Sequence, residues 1–343
     1  MLSQSNDNMD LSKLSEIIQA EPKFRFKQVY QAIYVDLIDD WKQASVLPLS
    51  LRERLNVECP LSIKAELEKD SNDKRSEKAL IYFEDKVAVE TVLIRQRNHR
   101  YTVCVSSQAG CALGCKFCAT GEAGFIRNLS ASEIVEQFFF WARRLRKDQD
   151  MEKIDNLVFM GMGEPFLNYD EFIKAVKIIH DPEKFNFGSR RMSVSTAGIT
   201  EGIKKLSSEK LQINLAISLH APVDSLREQL MPIGKKYPIA KVLKAVDEYI
   251  AKTGRRVMFE YIMIRNTNDD DDDAVALAAL MKKSLYLVNL IPYNTTGRFQ
   301  ASSPARIDAF QEKLESLGVA VTQRRSQGQK IAGACGQLAG KKK

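Results

Sequence analysis

From Tyr101 onward, short runs of apolar and β-branched residues alternate with helical windows. The strand-like runs fall at 101–106, 154–160, 191–196, 211–219, 257–264 and 286–291. The helical windows fall at 132–146, 169–179, 239–251, 271–283 and 305–316. Alternation of this kind predicts an α/β fold, with a parallel sheet inside and helices outside. Six β/α units fit a partial (β/α)6 barrel better than a complete eight-fold one. In parallel α/β folds the working groups collect at the C-terminal ends of strands. Gly161-Met162-Gly163-Glu164-Pro165, Ser195-Thr196, Ser218-Leu219-His220 and Ile291-Pro292-Tyr293-Asn294 all sit at such ends. Each alone reads as a turn or a core residue; together they predict a cofactor site.

Upstream, residues 10 to about 60 read as helical. Leu11, Leu14, Ile17 and Ile18 mark one apolar face, and Phe26, Val29, Tyr30, Ile33 and Tyr34 mark another. Residues 68–77 are polar and read as a turn or linker. Strand-like runs at 79–83 and 87–94 suggest a hairpin-type extension. The expected division is a helical accessory domain at 1–70, a linker and β extension at 71–100, the α/β unit at 101–325 and a C-terminal segment at 326–343. Asp269 to Asp273 is an acidic run at an expected helix start, where carboxylates suit the dipole.

Cysteine chemistry narrows the reading. In Cys111-Ala112-Leu113-Gly114-Cys115-Lys116-Phe117-Cys118, three thiols fall within eight residues. Thiolate is a soft ligand suited to zinc, copper(I) or an iron–sulfur cluster. A closed zinc site wants four ligands, and no second Cys-x-x-Cys pair exists here. Three thiolates would leave one iron of a 4Fe-4S cluster open to a substrate or cofactor. A helix with a cysteine stripe would also bring these positions to one face, but Gly110 and Gly114 favour a loop.

Cys-x3-Cys-x2-Cys after a strand resembles the cluster loop of radical S-adenosylmethionine (SAM) enzymes. The order of the later motifs is similar to the RNA adenine methyltransferase branch of that superfamily, the RlmN/Cfr family. The similarity runs from about residue 90 to Gly340. It rests on Val89-Glu90-Thr91-Val92, Cys104-Val105-Ser106-Ser107-Gln108, the cluster loop through Gly121, Gly161 to Pro165, Arg190-Arg191, Ser218 to Pro222, Met231-Pro232-Ile233 and Ala334-Cys335-Gly336-Gln337-Leu338.

This resemblance implies a radical SAM barrel, a 4Fe-4S cluster on Cys111, Cys115 and Cys118, and SAM lined by Gly163, Glu164, Ser195, Ser218, Leu219, His220 and Asn294. It implies that Cys335 carries a methyl group, that Cys104 later attacks it to leave a transient Cys104–Cys335 disulfide, and that Glu90 is the general base. A thiolate relay suits the chemistry, because an aromatic adenine carbon is a poor nucleophile and a thiolate a good one. The implied substrates are an adenosine in 23S rRNA, methylated on carbon 2, and the adenosine beside the tRNA anticodon. A Cfr-type enzyme, acting on carbon 8 of the same rRNA adenosine and conferring antibiotic resistance, shares these motifs. A flavodoxin- or ferredoxin-type reductant is implied as electron donor, and a monomer is expected.

Composition agrees with this picture and adds little. The 343 residues, 44% hydrophobic, suffice for one large core and a smaller one. No window approaches the ~18 uninterrupted apolar residues that a membrane helix needs. The polar N-terminus lacks the marks of a secretory signal, so a cytoplasmic location is expected, where cysteines more often bind metal or react than form structural disulfides. Net charge is +7. Residues 1–100 hold 16 Lys and Arg against 17 Asp and Glu, so the excess lies in 101–343, as an RNA partner needs. Basic doublets such as Arg143-Arg144, Arg190-Arg191 and Arg324-Arg325 read by default as solvated faces or helix ends, and Cys59 reads as a buried thiol.

Overall fold

The computed structural model describes residues 9, 11, 13–69, 75–96, 98–148, 152–324 and 328–340. The expectations for the polar N-terminus before residue 9, for 70–74 in the linker, for Arg325 and for the Lys341–Lys343 tail lie outside the described residues. The described chain opens with α1 (Leu14–Gln19), α2 (Lys23–Tyr30) and α3 (Leu49–Glu58). Strands β1 (Ala65–Lys69), β2 (Ser76–Tyr82), β3 (Ala88–Arg95) and β4 (Tyr101–Cys104) follow. A two-stranded hairpin, β5 (Gln108–Gly110) and β6 (Phe125–Asn128), brackets α4 (Ala119–Ala123). Then come α5 (Ala131–Asp148), β7 (Asn156–Phe159), α6 (Tyr169–His180), β8 (Met192–Thr196), α7 (Thr200–Leu206), β9 (Asn214–Ser218), α8 (Asp224–Leu230) and α9 (Ile239–Thr253). The series closes with β10 (Val257–Met263), α10 (Asp271–Leu280), β11 (Tyr286–Pro292), α11 (Pro304–Ser316) and β12 (Val321–Gln323).

Ten strands form one open sheet in the order β1-β2-β3-β4-β7-β8-β9-β10-β11-β12. The first four are antiparallel neighbours. From β4 to β12 every pairing is parallel. All six expected α/β strands are present. β12 adds a seventh parallel strand, too short at three residues to show a sequence pattern. The turn or linker expected at 68–77 is shorter: Ser76 and Glu77 begin β2, and residues 68 and 69 end β1, an exposed edge strand whose Ala65 pairs with Ile81. Its alternating charges hide it, as charged edge strands commonly do.

Local chemistry explains the elements. β10 is buried on both faces through Phe259, Tyr261, Ile262 and Met263, as a strand covered by helices must be. In α5, Ile134, Phe138, Trp141 and Leu145 recur at helical spacing and are buried on the sheet. The acidic run does begin a helix: Asp270 caps α10 by accepting from the Asp273 N–H at 2.8 Å, and Asp273 answers with a carboxylate bond to the Asp270 N–H.

The helical segment has its own core around Trp41, Leu55, Ile18 and Cys59, all buried, with Phe139 of α5 packed into it. Trp41 Nε1 donates to the Cys59 carbonyl at 2.7 Å, which satisfies the indole. Cys59 is thus the buried thiol expected. Arg143 departs from the solvated reading of its doublet. It is buried, lies over the Phe139 ring at 4.0 Å, and donates to the carbonyls of Leu61, Leu37 and Ile38. One guanidinium therefore joins the helical segment to α5.

Replacing Arg143 by Met keeps the stem but orphans three carbonyls. The expected loss is about 2–4 kcal/mol of unfolding free energy, by the cost of buried unsatisfied acceptors. Urea denaturation of the two proteins measures it, and a loss below about 0.5 kcal/mol would mean that the carbonyls find water instead.

Candidate active site

The C-terminal strand ends open into a cavity of about 440 Å³. Cys111, Cys115 and Cys118 line it from the loop between β5 and α4. Gly163 and Glu164 enter after β7, Ser195 from β8, Ser218 and His220 from the end of β9, and Asn294 after β11. Cys104, at the end of β4, and Cys335, from the C-terminal segment, line the same space. All six cysteines are free thiols. Residues spread over more than 230 positions of sequence are therefore gathered at one mouth.

Two of the anticipated residues do not line the cavity. Leu219 is fully buried and contributes its backbone, its N–H donating to the Glu260 carbonyl at 3.1 Å. Glu90 lies on β3 and is occupied elsewhere. Its carboxylate pairs with Lys78 at 2.9 Å and accepts from the N–H groups of Ala339 and Gly340 at 2.7 and 3.0 Å. In this conformation Glu90 anchors the C-terminal segment.

That segment is held at several further points. The Ala119 N–H donates to the Gly336 carbonyl at 2.8 Å, and Thr120 Oγ1 donates to the Leu338 carbonyl. Asn294 Nδ2 donates to the Cys335 carbonyl at 3.0 Å, while Asn294 Oδ1 accepts from Gln329 at 2.7 Å. Gly336 has φ +84°, and a Cβ there would meet the Phe117 carbonyl at 3.2 Å. The glycine lets the Cys335 turn lie against the cysteine loop.

The turn after β7 is built the same way. Gly163 has φ +92°, and a Cβ there would overlap Gln108 Cβ at 2.4 Å. Gln108 Oε1 accepts from the Glu164 N–H at 2.8 Å. The Glu164 carboxylate accepts from the N–H groups of Phe166 (3.0 Å) and Ala197 (2.7 Å). Burial still pushes it up to about 7, against those hydrogen bonds. Ser195 and Ser218 hydroxyls lie 3.2 Å apart.

His220 occupies the left-handed region at φ +58°. Asn268 fixes this strained turn: its Nδ2 donates to the carbonyls of His220 and Ile262, and its Oδ1 accepts from the Ile264 N–H. His220 Nδ1 accepts from the Ile262 N–H at 3.2 Å, so Nε2 carries the proton of the neutral ring. Phe117 packs edge-on against it, 4.9 Å between centroids. Burial, aided by Arg227, drives His220 from 6.5 down to about 3.

The three loop thiols suit a cluster better than a single ion. Burial drives Cys111 up to about 12 and pushes Cys115 well up from the ordinary thiol value, and neighbouring thiols add to both shifts. Such thiols need a bound cation to stay ionised. Among the described residues no three His, Cys, Asp or Glu side chains close on one point as a single ion requires. Thiolates bound to different irons of one cluster need a wider spread.

Comparison with known proteins decides the family. Residues 105–278 match the model of the radical SAM superfamily. The chain is 47% identical to a probable dual-specificity RNA methyltransferase RlmN of Chloroflexus aurantiacus, over 97% of this chain and 92% of that one. It is 42% identical to the dual-specificity RNA methyltransferase RlmN of Nautilia profundicola, over 93% of each. The chain belongs to the RlmN family of radical SAM methyltransferases. The crystal structure of a radical SAM methyltransferase from Sphaerobacter thermophilus superposes with TM-score 0.91 at 41% identity, covering 97% of this chain and 98% of that one. As an RlmN-family member it is a SAM-dependent RNA methyltransferase that uses a 4Fe-4S cluster and SAM.

Sequence reasoning missed Asn268, Gln108, Thr120 and Arg324. Gln108 and Thr120 hold backbone groups 56 and 218 positions away, and Asn268 holds groups 4, 6 and 48 away, so no local pattern gives their roles. Arg324 showed only as half of a basic doublet, yet it lines the cavity.

The neutral His220 carries a pH signature. The unfolded chain binds its proton near 6.5 and the folded one only near 3, so this contribution is complete above 6.5 and is lost as pH falls toward 3. Urea midpoints across this range should converge for wild type and His220→Gln as pH drops. The gap should narrow by about 2–3 kcal/mol between pH 6.5 and 4.5. Parallel curves would show that the folded imidazole protonates freely.

Proposed function

We propose that the protein methylates carbon 2 of an adenosine in 23S rRNA and of the adenosine beside the tRNA anticodon, through an S-methyl group carried on Cys335. The observation that carries this is the meeting of Cys335 and Cys104 in the cavity that also holds the three loop thiols. A cofactor site that only cleaved SAM would need no further thiol pair. In this reading Cys111, Cys115 and Cys118 hold the cluster. Gly163, Glu164, Ser195, Ser218, His220 and Asn294, with the Leu219 backbone, frame SAM.

When bound, the cluster supplies an electron and SAM supplies both the methyl group and the hydrogen-abstracting fragment. The chain's own part begins with the Cys335 thiolate, which takes the methyl by displacement and presents it over the cavity. Once the methyl carbon is bonded to the adenine ring, Cys104 attacks Cys335: the S–S bond forms as the Cys335 S–C bond breaks, the methylated base is released and the disulfide is left for reduction. Glu90 accepts the ring proton in this scheme. It first has to leave the Ala339 and Gly340 N–H groups, so a shift of the C-terminal segment belongs to the cycle. Neutral His220 and the half-buried Ser195 and Ser218 orient without competing as bases.

The six β/α units are read as a partial barrel curled around this cavity, with β1 to β3 as the extension and the helices before residue 65 as an accessory unit. The basic excess of 101–343 suits phosphate contacts, and a splayed single-stranded adenosine suits a deep site. A flavodoxin- or ferredoxin-type donor supplies electrons. The enzyme works as a monomer in the cytoplasm, where both RNAs are found.

Anaerobically reconstituted protein with SAM, a reductant and an rRNA fragment should yield 2-methyladenosine by mass spectrometry of digested nucleosides. Cys335→Ala should yield none. Appearance of 8-methyladenosine would move the protein to the Cfr type. No methylated base at all, with SAM still cleaved, would remove the RNA substrate from the proposal.

A further inference from the structure

We propose that Lys78 is a positioning residue for Glu90: it holds one oxygen of that carboxylate so that the other meets the end of the chain, and it thereby keeps Cys335 against the cavity. How the segment docks is independent of the methyl relay. The catalytic consequence rests on the methyl-carrier reading of Cys335.

Strand register brings the parts together. Glu68 on β1 pairs with Lys78 on β2, and Lys78 pairs with Val92 on β3. Leu80, two residues along β2, pairs with Glu90. Val92 in turn pairs with Cys104 on β4. Side chains alternate between the faces of a sheet, so Glu68, Lys78, Glu90, Val92 and Cys104 share one face. The opposite face lies on α5, where Trp141 Nε1 donates to Thr91 Oγ1 at 3.1 Å. The first face therefore continues the wall that carries Cys104 into the cavity. The C-terminal segment covers it. A Cβ on Gly328 would lie 3.5 Å from Ser76, and one on Gly340 would lie 3.3 Å from Met162 Cε.

Within this face the Glu90 backbone is already fixed. Its N–H donates to Met162 Sδ at 3.3 Å, and its carbonyl accepts from Ser106 Oγ at 2.6 Å. Only the side-chain torsions are left to set. Lys78 Nζ sets them by holding Oε1 at 2.9 Å. Oε2 is then turned to the Ala339 and Gly340 N–H groups, at 2.7 and 3.0 Å. The ammonium is itself steadied by Glu68 Oε2 at 3.1 Å. Among the described residues Lys78 is the only cation within 4 Å of the Glu90 carboxylate. Release of the segment frees Oε2 alone, while Lys78 keeps Oε1.

Burial argues that this arrangement serves placement. Lys78 and Glu90 are each 9% exposed. An ion pair removed from water gains little over apolar side chains of similar size. Apolar side chains, however, would leave the two peptide N–H groups without an acceptor. Cys335 stands a few residues before those groups, and its own carbonyl is held by Asn294 at 3.0 Å. The turn is therefore tied at Asn294 on one side and at Glu90 on the other, with the thiol between them on the cavity wall.

The test uses cluster-loaded wild type, Lys78→Met, Lys78→Arg and Glu68→Gln. Hydrogen–deuterium exchange is read on peptides that cover Ala339 and Gly340, with β2 and β3 as the internal reference. In Lys78→Met exchange at the chain end should quicken by about tenfold or more, while the two strands stay within about twofold of wild type. Transfer of a deuterated methyl from SAM to the Cys335 peptide should lose about tenfold in maximal rate, with KM for SAM within about threefold, because the residues that frame SAM are untouched. Lys78→Arg keeps the cation and should restore both readouts to within about threefold. Glu68→Gln should change neither beyond about twofold, since an exposed partner contributes little. Unchanged exchange at Ala339 and Gly340 in Lys78→Met overturns the proposal. So does equal acceleration in β2 and β3, which marks a structural role, or an Arg variant no closer to wild type than the Met variant. Should Lys78→Met fail to fold, Lys78→Gln keeps one donor and carries the same test, with an expected acceleration of about threefold. Should wild-type Cys335 accept no methyl, the carrier reading fails instead, while the exchange pattern still decides what Lys78 does.

Discussion

The site depends on a few backbone hydrogen bonds that tie residues 335–340 to distant parts of the sheet. Glu90 on β3, Ala119 and Thr120 after the cysteine loop, and Asn294 after β11 each hold one or two peptide groups of that segment. A segment without regular structure has no internal partners for its peptide groups, so it must find them outside or stay in water. Here the partners stand around the cavity, and Cys335 is placed as a result. Such contacts are individually modest. A segment held by several modest contacts is placed firmly and can still be released.

The same economy runs through the polar interior. Asn268 uses both ends of its carboxamide to hold a histidine in a backbone conformation that residues other than glycine rarely adopt. Gln108 fixes the turn that carries Glu164. Neither side chain lines the reactive space; both spend their hydrogen bonds on groups that do. A catalytic constellation held this way loses little entropy on binding its ligands, because its geometry exists beforehand. Arginine charges are distributed with equal consequence. Arg143 joins two cores, Arg227 lies near Cys115, and half-buried Arg324 lines the cavity that holds Cys104 and Cys335.

Much of this was legible in the chain. Strand and helix alternation is a periodic signal, and it placed six parallel strands because each carries a short run rich in apolar or β-branched residues. The cysteine loop was legible because ligand spacing is local chemistry. Strand β1 was not, since Glu66, Glu68 and Lys69 look like linker and pair only because β2 offers an edge. Arg143 and Arg324 were misjudged for one reason: a basic doublet looks solvated until the fold turns one of its members inward, Arg143 into the core and Arg324 onto the cavity wall. Glu90 illustrates the reverse case. Family motifs marked it as important, and only the fold shows it engaged by Lys78 and the C-terminal turn.

The sequence by itself determined the class of fold, the soft-ligand loop and the glycines that its turns require. These follow from interactions between residues close together in the chain, where spacing alone fixes which groups can meet. Tertiary structure decided that Cys104 and Cys335, 231 positions apart, share one cavity, and that Arg324 lines it too. Those meetings depend on how the sheet orders its strands and where the last segment docks, and both are set by summed burial and hydrogen bonding over the whole chain rather than by any local pattern.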